Sequence, residues 1–179
     1  MNGQTLSQLV RSAREGNLES FGLLYERYYA AMVGVAYSLL GDRHLAEDAA
    51  QEAFASACGD IARLKRPEKF AGWLRQICRN VAIDIVRSRA RGAAVVKNLS
   101  PPTANDADGR PGEAVRRAVM ELPPRGREVV LLHYFSGLSY GQIAETIGGS
   151  VHSVRGRLFR ARRELAAKLS REGTCGSQL

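Results

Sequence analysis

A chain of 179 residues with a formal charge of +8 and a pI near 9.9 has room for one domain or two small ones, and its charge favours a polyanionic partner. Its longest nearly apolar run, Ala30 to Leu40, is far shorter than a bilayer span and contains Tyr37 and Ser38, so no membrane segment is expected. No apolar stretch follows a basic start, so no signal peptide is expected either; Cys58, Cys78 and Cys175, an odd set without CxxC spacing, fit reduced thiols in the cytoplasm.

The first half reads as helix, without strand-like alternation. Thr5 to Glu15 predicts a first helix closed near Gly16. Leu18, Phe21, Tyr25, Tyr28, Met32, Val35 and Leu39 recur by threes and fours and predict a second, ending at Gly41. Leu45, Ala49, Ala53 and Ala57 form the buried side of a third that ends near Gly59. Phe70, Trp73, Leu74, Ile77, Val81 and Ile85 form that of a fourth, enough apolar surface together for a small helical bundle. Cys58 and Cys78 lie in apolar helical contexts and read as core residues. With His44 or His133 they offer no ligand pair at zinc spacing.

Two features of this half point outward. Glu47, Asp48, Gln51 and Glu52 share one face of the third helix, which is either a solvated surface or a docking face for a basic protein. Paired carboxylates also suit metal or acid–base chemistry, but no histidine or cysteine joins them. The fourth helix follows the basic loop Arg63, Lys65, Arg66 and Lys69, and its outward side carries Arg75, Arg79, Asn80, Ile83 and Arg87. Trp73, the only tryptophan, reads as core or as a stacking platform. Cations beside an aromatic ring and an amide suit single-stranded DNA, whose bases are free to stack or to enter a pocket.

Residues 92–112, GAAVVKNLSPPTANDADGRPG, lack apolar periodicity and read as a flexible linker. As a loose coil they separate their ends by about 25 Å, and at full stretch by about 70 Å. One DNA turn is about 34 Å, so the linker can place two DNA-reading units one to two turns apart.

Beyond it, Leu138 to Arg163 reads as a helix-turn-helix. Ser139 and Gln142 form a capping box, and Ile143, Ala144 and Ile147 give the first helix an apolar face. Gly148 and Gly149 stop it, and Ser150 caps the second helix. Val154, Leu158, Ala161, Leu165 and Leu169 form the buried stripe of that second helix. His152, Arg155, Gly156, Phe159, Arg160 and Arg163 share its opposite face, with Ser153 and Arg157 nearby. A helix packed on one side and cationic on the other suits the major groove, where arginine binds guanine edges or phosphates. Gly156 costs roughly 1 kcal/mol against alanine in a helix interior. It is either tolerated or there for close approach to the duplex.

Charge is not spread evenly. Residues 1–62 carry four basic and eight acidic groups, residues 63–91 nine and two, residues 92–149 six of each, and residues 150–179 seven and two. The helix-turn-helix therefore accounts for only one of two basic blocks, and the other follows an acidic one.

The segment LLYERYYAAMVGVAYSLLGDRHLAEDAAQEAF resembles the start of the region-two domain of extracytoplasmic-function sigma factors, including their acidic signature at Glu47, Asp48, Gln51 and Glu52. FAGWLRQICRNVAIDIVRSR resembles that domain's promoter-melting helix, and MELPPRGREVVLLHYFSGLSYGQIAETIGGSVHSVRGRLFRARREL resembles region four. The resemblance implies an all-α chain of two small helical domains: residues 1–91 as region two, 92–112 as linker and 113–170 as region four, with 171–179 a tail without assigned function. It implies a subunit that binds core RNA polymerase and directs it to promoters. Asp48, Gln51, Glu52 and the adjacent Glu47 would dock on the clamp helices of the largest catalytic subunit. The basic loop, Arg63, Lys65, Arg66 and Lys69, and the fourth helix, through Trp73, Arg79, Asn80, Ile83 and Arg87, would read and hold the melted minus-ten element, with Asn80 against a flipped base. Ser150, His152, Ser153, Arg155, Gly156, Arg157, Phe159 and Arg160 would form the minus-thirty-five reader, with region four on the flap of the second-largest subunit. The linker would thread the active-site channel toward the RNA exit path. Many members are held by an anti-sigma factor, which makes such a protein a further candidate partner. Gly156 stands where the family often has serine, and Gly149 where it often has an apolar residue.

Two rival functions are weaker. A DNA-binding regulator with a sensory or dimerising bundle leaves the second basic block and the acidic face unexplained. An enzyme acting on nucleic acid would need a nucleophile–base pair, a phosphate-cradling glycine loop or a metal cluster, and the sequence offers none; no cofactor is expected.

Overall fold

The computed structural model describes residues 5–96 and 112–175. Helix α1 (Leu6–Arg14) opens on a capping box in which Thr5 and Gln8 satisfy each other's backbone N–H groups. Helix α2 (Leu18–Leu40) is capped by Asn17, whose Oδ1 accepts from the Ser20 N–H at 2.7 Å. It stops at Gly41, which adopts φ 66°. Helix α3 (Arg43–Asp60) starts from the Asp42 cap and passes Gly59 before winding into a 3₁₀ turn, Ile61–Arg63. A second 3₁₀ turn, Pro67–Lys69, leads into α4 (Phe70–Val96). This last helix therefore runs past the start of the segment read as linker; residues 97–111 of that segment lie outside the described residues.

The alanine-rich face of α3 sets the packing of this half. Ala46, Ala49, Ala50, Ala53 and Ala57 are fully buried, and such small side chains let α3 approach α2 and α4 closely. Leu24, Met32 and Val35 of α2 and Phe70, Leu74, Cys78 and Ala82 of α4 fill the space between them. Cys58 is exposed, not a core residue, because a helix turns each successive residue by about 100° and Ala57 already occupies the inward position. Cys78 is buried and its thiol donates to the Met32 carbonyl at 3.3 Å. Burial pushes this thiol's pKa up to about 12, so it stays protonated.

The second half comprises α5 (Glu113–Met120), α6 (Pro124–Val130) continuing into a π turn (Leu131–Phe135), α7 (Tyr140–Ile147) and α8 (Val151–Cys175). Leu122, Val129, Leu132, Ile143, Val154 and Leu158 are buried together. The α7–α8 turn has the expected caps. Ser139 and Gln142 form the capping box, Gly148 takes φ 68° at the end of α7, and the Ser153 N–H donates to Ser150 Oγ at 3.2 Å. Gly148 alone supplies the left-handed conformation; Gly149 does not have a positive φ. The α8 helix continues into the segment read as a tail, as far as Cys175.

The two halves share one core. Arg75 of α4 donates from Nε and Nη2, one edge of its guanidinium, to the two carboxylate oxygens of Glu128 of α6, at 2.8 Å each, and Arg79 lies 3.8 Å from the same carboxylate. Arg127 donates to the Ser38 carbonyl at 3.0 Å, Tyr37 stacks on Phe135 at 5.1 Å, and Tyr28 hydrogen-bonds Glu145 of α7. Burial, with Glu145 alongside, raises the pKa of Tyr28, so its hydroxyl remains the donor. Gly34 lets α2 approach the π turn: a Cβ there would collide with Ser136 Oγ and lie 3.3 Å from a Leu132 methyl.

Candidate nucleic-acid interface

Helix α8 is held by its buried stripe and presents the rest. Val154, Leu158 and Ala161 are buried, and Leu165 and Leu169 are half-buried. On the other side Ser150, His152, Arg155, Phe159 and Arg160 are exposed, while Ser153, Gly156 and Arg157 are half-buried along its edge. Phe159 is 60% exposed, a large apolar ring in water with the Arg163 guanidinium 5.9 Å from its centre. An alanine would fit at Gly156, where a Cβ meets only the Arg160 guanidinium at 3.6 Å. No packing within the described residues therefore requires glycine there.

One cation beside this face was not singled out in the sequence. Arg125, in the first turn of α6, joins Arg157 and Arg160 around a cleft of about 400 Å³ that Ser153 also lines. Three guanidiniums at one cleft beside the exposed helix suit a phosphate backbone. The available signal was the pair of prolines, which starts α6 just before Arg125. A neighbouring arginine is held differently. Arg162 donates to Tyr134 Oη at 2.8 Å and to Tyr140 Oη at 3.4 Å, which raises its pKa.

The α4 candidates divide. Lys69, Asn80 and Arg87 are exposed, and Trp73 and Ile83 are half-buried. Asn80 Oδ1 accepts from Gln76 Nε2 at 2.9 Å, which leaves the Asn80 amide donors facing outward. Arg87 lies 3.5 Å from Asp84. The Trp73 ring packs against Phe70 at 5.9 Å, combining the core and surface readings. Arg75 and Arg79 are not on a solvated side: they turn onto Glu128, whose residue exposure is 3%. A carboxylate set among Val129, Val130 and Leu131 was the sequence signal for this, since a buried charge needs a partner.

On α3, Asp48, Gln51 and Glu52 are exposed, and their side chains make no hydrogen bond or ion pair to a described residue. Glu47 is half-buried and accepts from Arg43 Nε at 2.9 Å, so it is the least available of the four. Among the described residues no group of three His, Cys, Asp or Glu side chains is placed to hold a metal ion, and no helix is long and apolar enough to cross a membrane.

An all-helical protein with a capped helix-turn-helix and an exposed arginine face belongs to the helix-turn-helix class of DNA-binding proteins. Residues 24–92 match the family Sigma-70 region 2, and residues 112–165 match Sigma-70, region 4. The chain is 31% identical over 166 residues to the ECF RNA polymerase sigma factor SigE of Mycolicibacterium smegmatis, covering 88% of this chain and 64% of that protein. It is 30% identical over 154 residues to the ECF RNA polymerase sigma factor SigM of Bacillus subtilis, covering 83% and 94%. Among solved structures, CnrH in complex with the cytosolic domain of CnrY superposes with a TM-score of 0.61 at 27% identity, covering 92% of this chain and 96% of that one. The sigma factor RpoE of Bartonella quintana, solved with the anti-sigma factor NepR, shares the fold at a TM-score of 0.57 and 23% identity, covering 85% and 98%. The chain belongs to the extracytoplasmic-function sigma factors.

The α8 face gives a direct test of base reading. Arg155→Ala or Arg160→Ala is expected to cost about 1–3 kcal/mol on the cognate upstream element if the side chain meets a base edge. Binding of a panel of single-base variants checks it: a uniform loss on every sequence would reduce the contact to a phosphate.

Proposed function

We propose that the chain binds core RNA polymerase and brings it to promoters, gripping the DNA at two points. The observation that carries this reading is the match to both sigma regions in family order, each presenting a charged face on its own helix. The α3 face of Asp48, Gln51 and Glu52 docks on the clamp helices of the largest polymerase subunit, and region four rests on the flap of the second-largest. Lys69, Trp73, Asn80, Ile83 and Arg87 hold the melted minus-ten strand, with Arg79 joining them when Glu128 releases it. Arg155, Phe159 and Arg160, flanked by Ser150, His152, Ser153, Gly156 and Arg157, read the minus-thirty-five element. Its work is binding and positioning, without catalysis, in the cytoplasm where the polymerase acts. An anti-sigma factor is a further proposed partner; its support is the shared fold with a sigma factor solved in such a complex.

The test is a map of transcript start sites that appear when the chain is overproduced. Two upstream sequence elements at constant spacing are expected. New starts without shared elements would contradict the reading.

A further inference from the structure

One basic site joins Lys65 of the basic loop before α4 to two arginines of α1 that have no role so far. The end of α1 and the segment between α3 and α4 enclose a cleft of about 470 Å³, lined by Arg11, Arg14 and Glu15 on one side and Ala62, Lys65 and Pro67 on the other. Its three cations face a single carboxylate. Arg11, Arg14 and Lys65 are exposed, and none of their side chains makes a hydrogen bond or ion pair to a described residue. Their neighbours differ: Arg63 is paired with Asp60 at 2.9 Å and Arg66 with Glu68 at 3.4 Å. The walls are firm. Leu9, Val10 and Ala13 anchor α1 in the core, its start is fixed by the capping box, and buried Leu64 pins the segment beside Lys65. Helix α1 precedes residue 24, where the family match begins.

Three unpaired cations on rigid supports at an open cleft favour an extended polyanion. A small apolar ligand would find few partners there. Lys65 and Pro67 belong to the segment that leads into α4, which places the cleft beside the start of the helix proposed to hold the melted strand. We propose that Arg11, Arg14 and Lys65 bind the sugar–phosphate backbone of the single-stranded promoter DNA, as an anchor separate from Asn80 and Ile83. This rests on the promoter-binding reading above.

The test uses holoenzyme assembled from the full chain and core polymerase. Its probe is a fluorescein-labelled nontemplate-strand oligonucleotide covering the mapped minus-ten element and its flanks. Each phosphate contact to a single strand adds about 0.7 to the slope of log affinity against log salt. Arg11→Gln/Arg14→Gln/Lys65→Gln is expected to lower that slope by about 2, so that wild type loses roughly twentyfold more affinity than the variant between 50 and 200 mM salt. Arg14→Gln alone is expected to lower it by about 0.7. Preference for the minus-ten sequence stays as in wild type, and uncharged methylphosphonate linkages in the oligonucleotide reproduce the loss on wild type. An unchanged slope in variants that melt like wild type, while wild-type holoenzyme still prefers the minus-ten sequence, overturns the cleft and leaves the sigma reading intact. Displacement of a free guanosine polyphosphate from the cleft with no change in strand slope also overturns it. Wild-type holoenzyme without sequence preference would overturn both.

Discussion

Glu128→Ala is expected to lower the thermal midpoint of the chain by roughly 10 °C. Glu128 is 3% exposed and takes two 2.8 Å hydrogen bonds from Arg75, with Arg79 3.8 Å away. Removing one partner of a buried pair leaves the other charge uncompensated and costs about 3–5 kcal/mol. At this chain length each kcal/mol moves the midpoint by about 2–4 °C. The geometry explains why the loss is large: both carboxylate oxygens are engaged at the joint between the halves, where α4 and α6 share one core. Replacing both partners together, as Glu128→Leu with Arg75→Met, is expected to restore most of the loss, since an apolar pair is not penalised for burial. Circular dichroism melts of wild type, Glu128→Ala and the Glu128→Leu/Arg75→Met double variant measure it. A midpoint shift under about 2 °C for Glu128→Ala would mean that the pair holds nothing together.

Reversing the acidic face is the second large effect. Asp48→Lys with Glu52→Lys is expected to weaken binding to core polymerase by at least a hundredfold, about 3 kcal/mol, because charge pairs across an interface turn repulsive. The fold should survive. Both residues are exposed on α3 and free of described partners, and lysine is a good helix former. Glu47 reversal should do less for polymerase binding, since that carboxylate is half-buried and turned to Arg43. Titration of labelled chain with core enzyme, alongside a melt, separates docking from folding. Unchanged affinity would remove the acidic face from the polymerase contact.

What was legible in the sequence is what is local. The Ser139–Gln142 box, the Gly148 stop, the Ser150 cap and the Gly41 terminus each depend on residues within one turn of one another, and each stands in the structure. The outward arginine face of α8 follows from the same 3.6-residue period as its buried stripe. What was not legible depends on the approach of distant elements. Arg75 and Glu128 are separated by 53 positions, so Arg75 looked like a surface cation until its partner arrived. Cys58 shares the apolar neighbourhood of Ala57 but not its direction. The cleft on α1 draws its cations from Arg11 and Arg14 at one end and Lys65 at the other, a combination that no helical period encodes.

The central claim is that this chain confers promoter specificity on polymerase, and not that it merely binds DNA. Run-off transcription with purified core polymerase and a template bearing the mapped upstream elements tests it most directly. A discrete transcript is expected from core enzyme plus this chain alone, lost when either element is scrambled. A transcript that appears only when another sigma factor is also supplied would contradict it and make the chain a regulator.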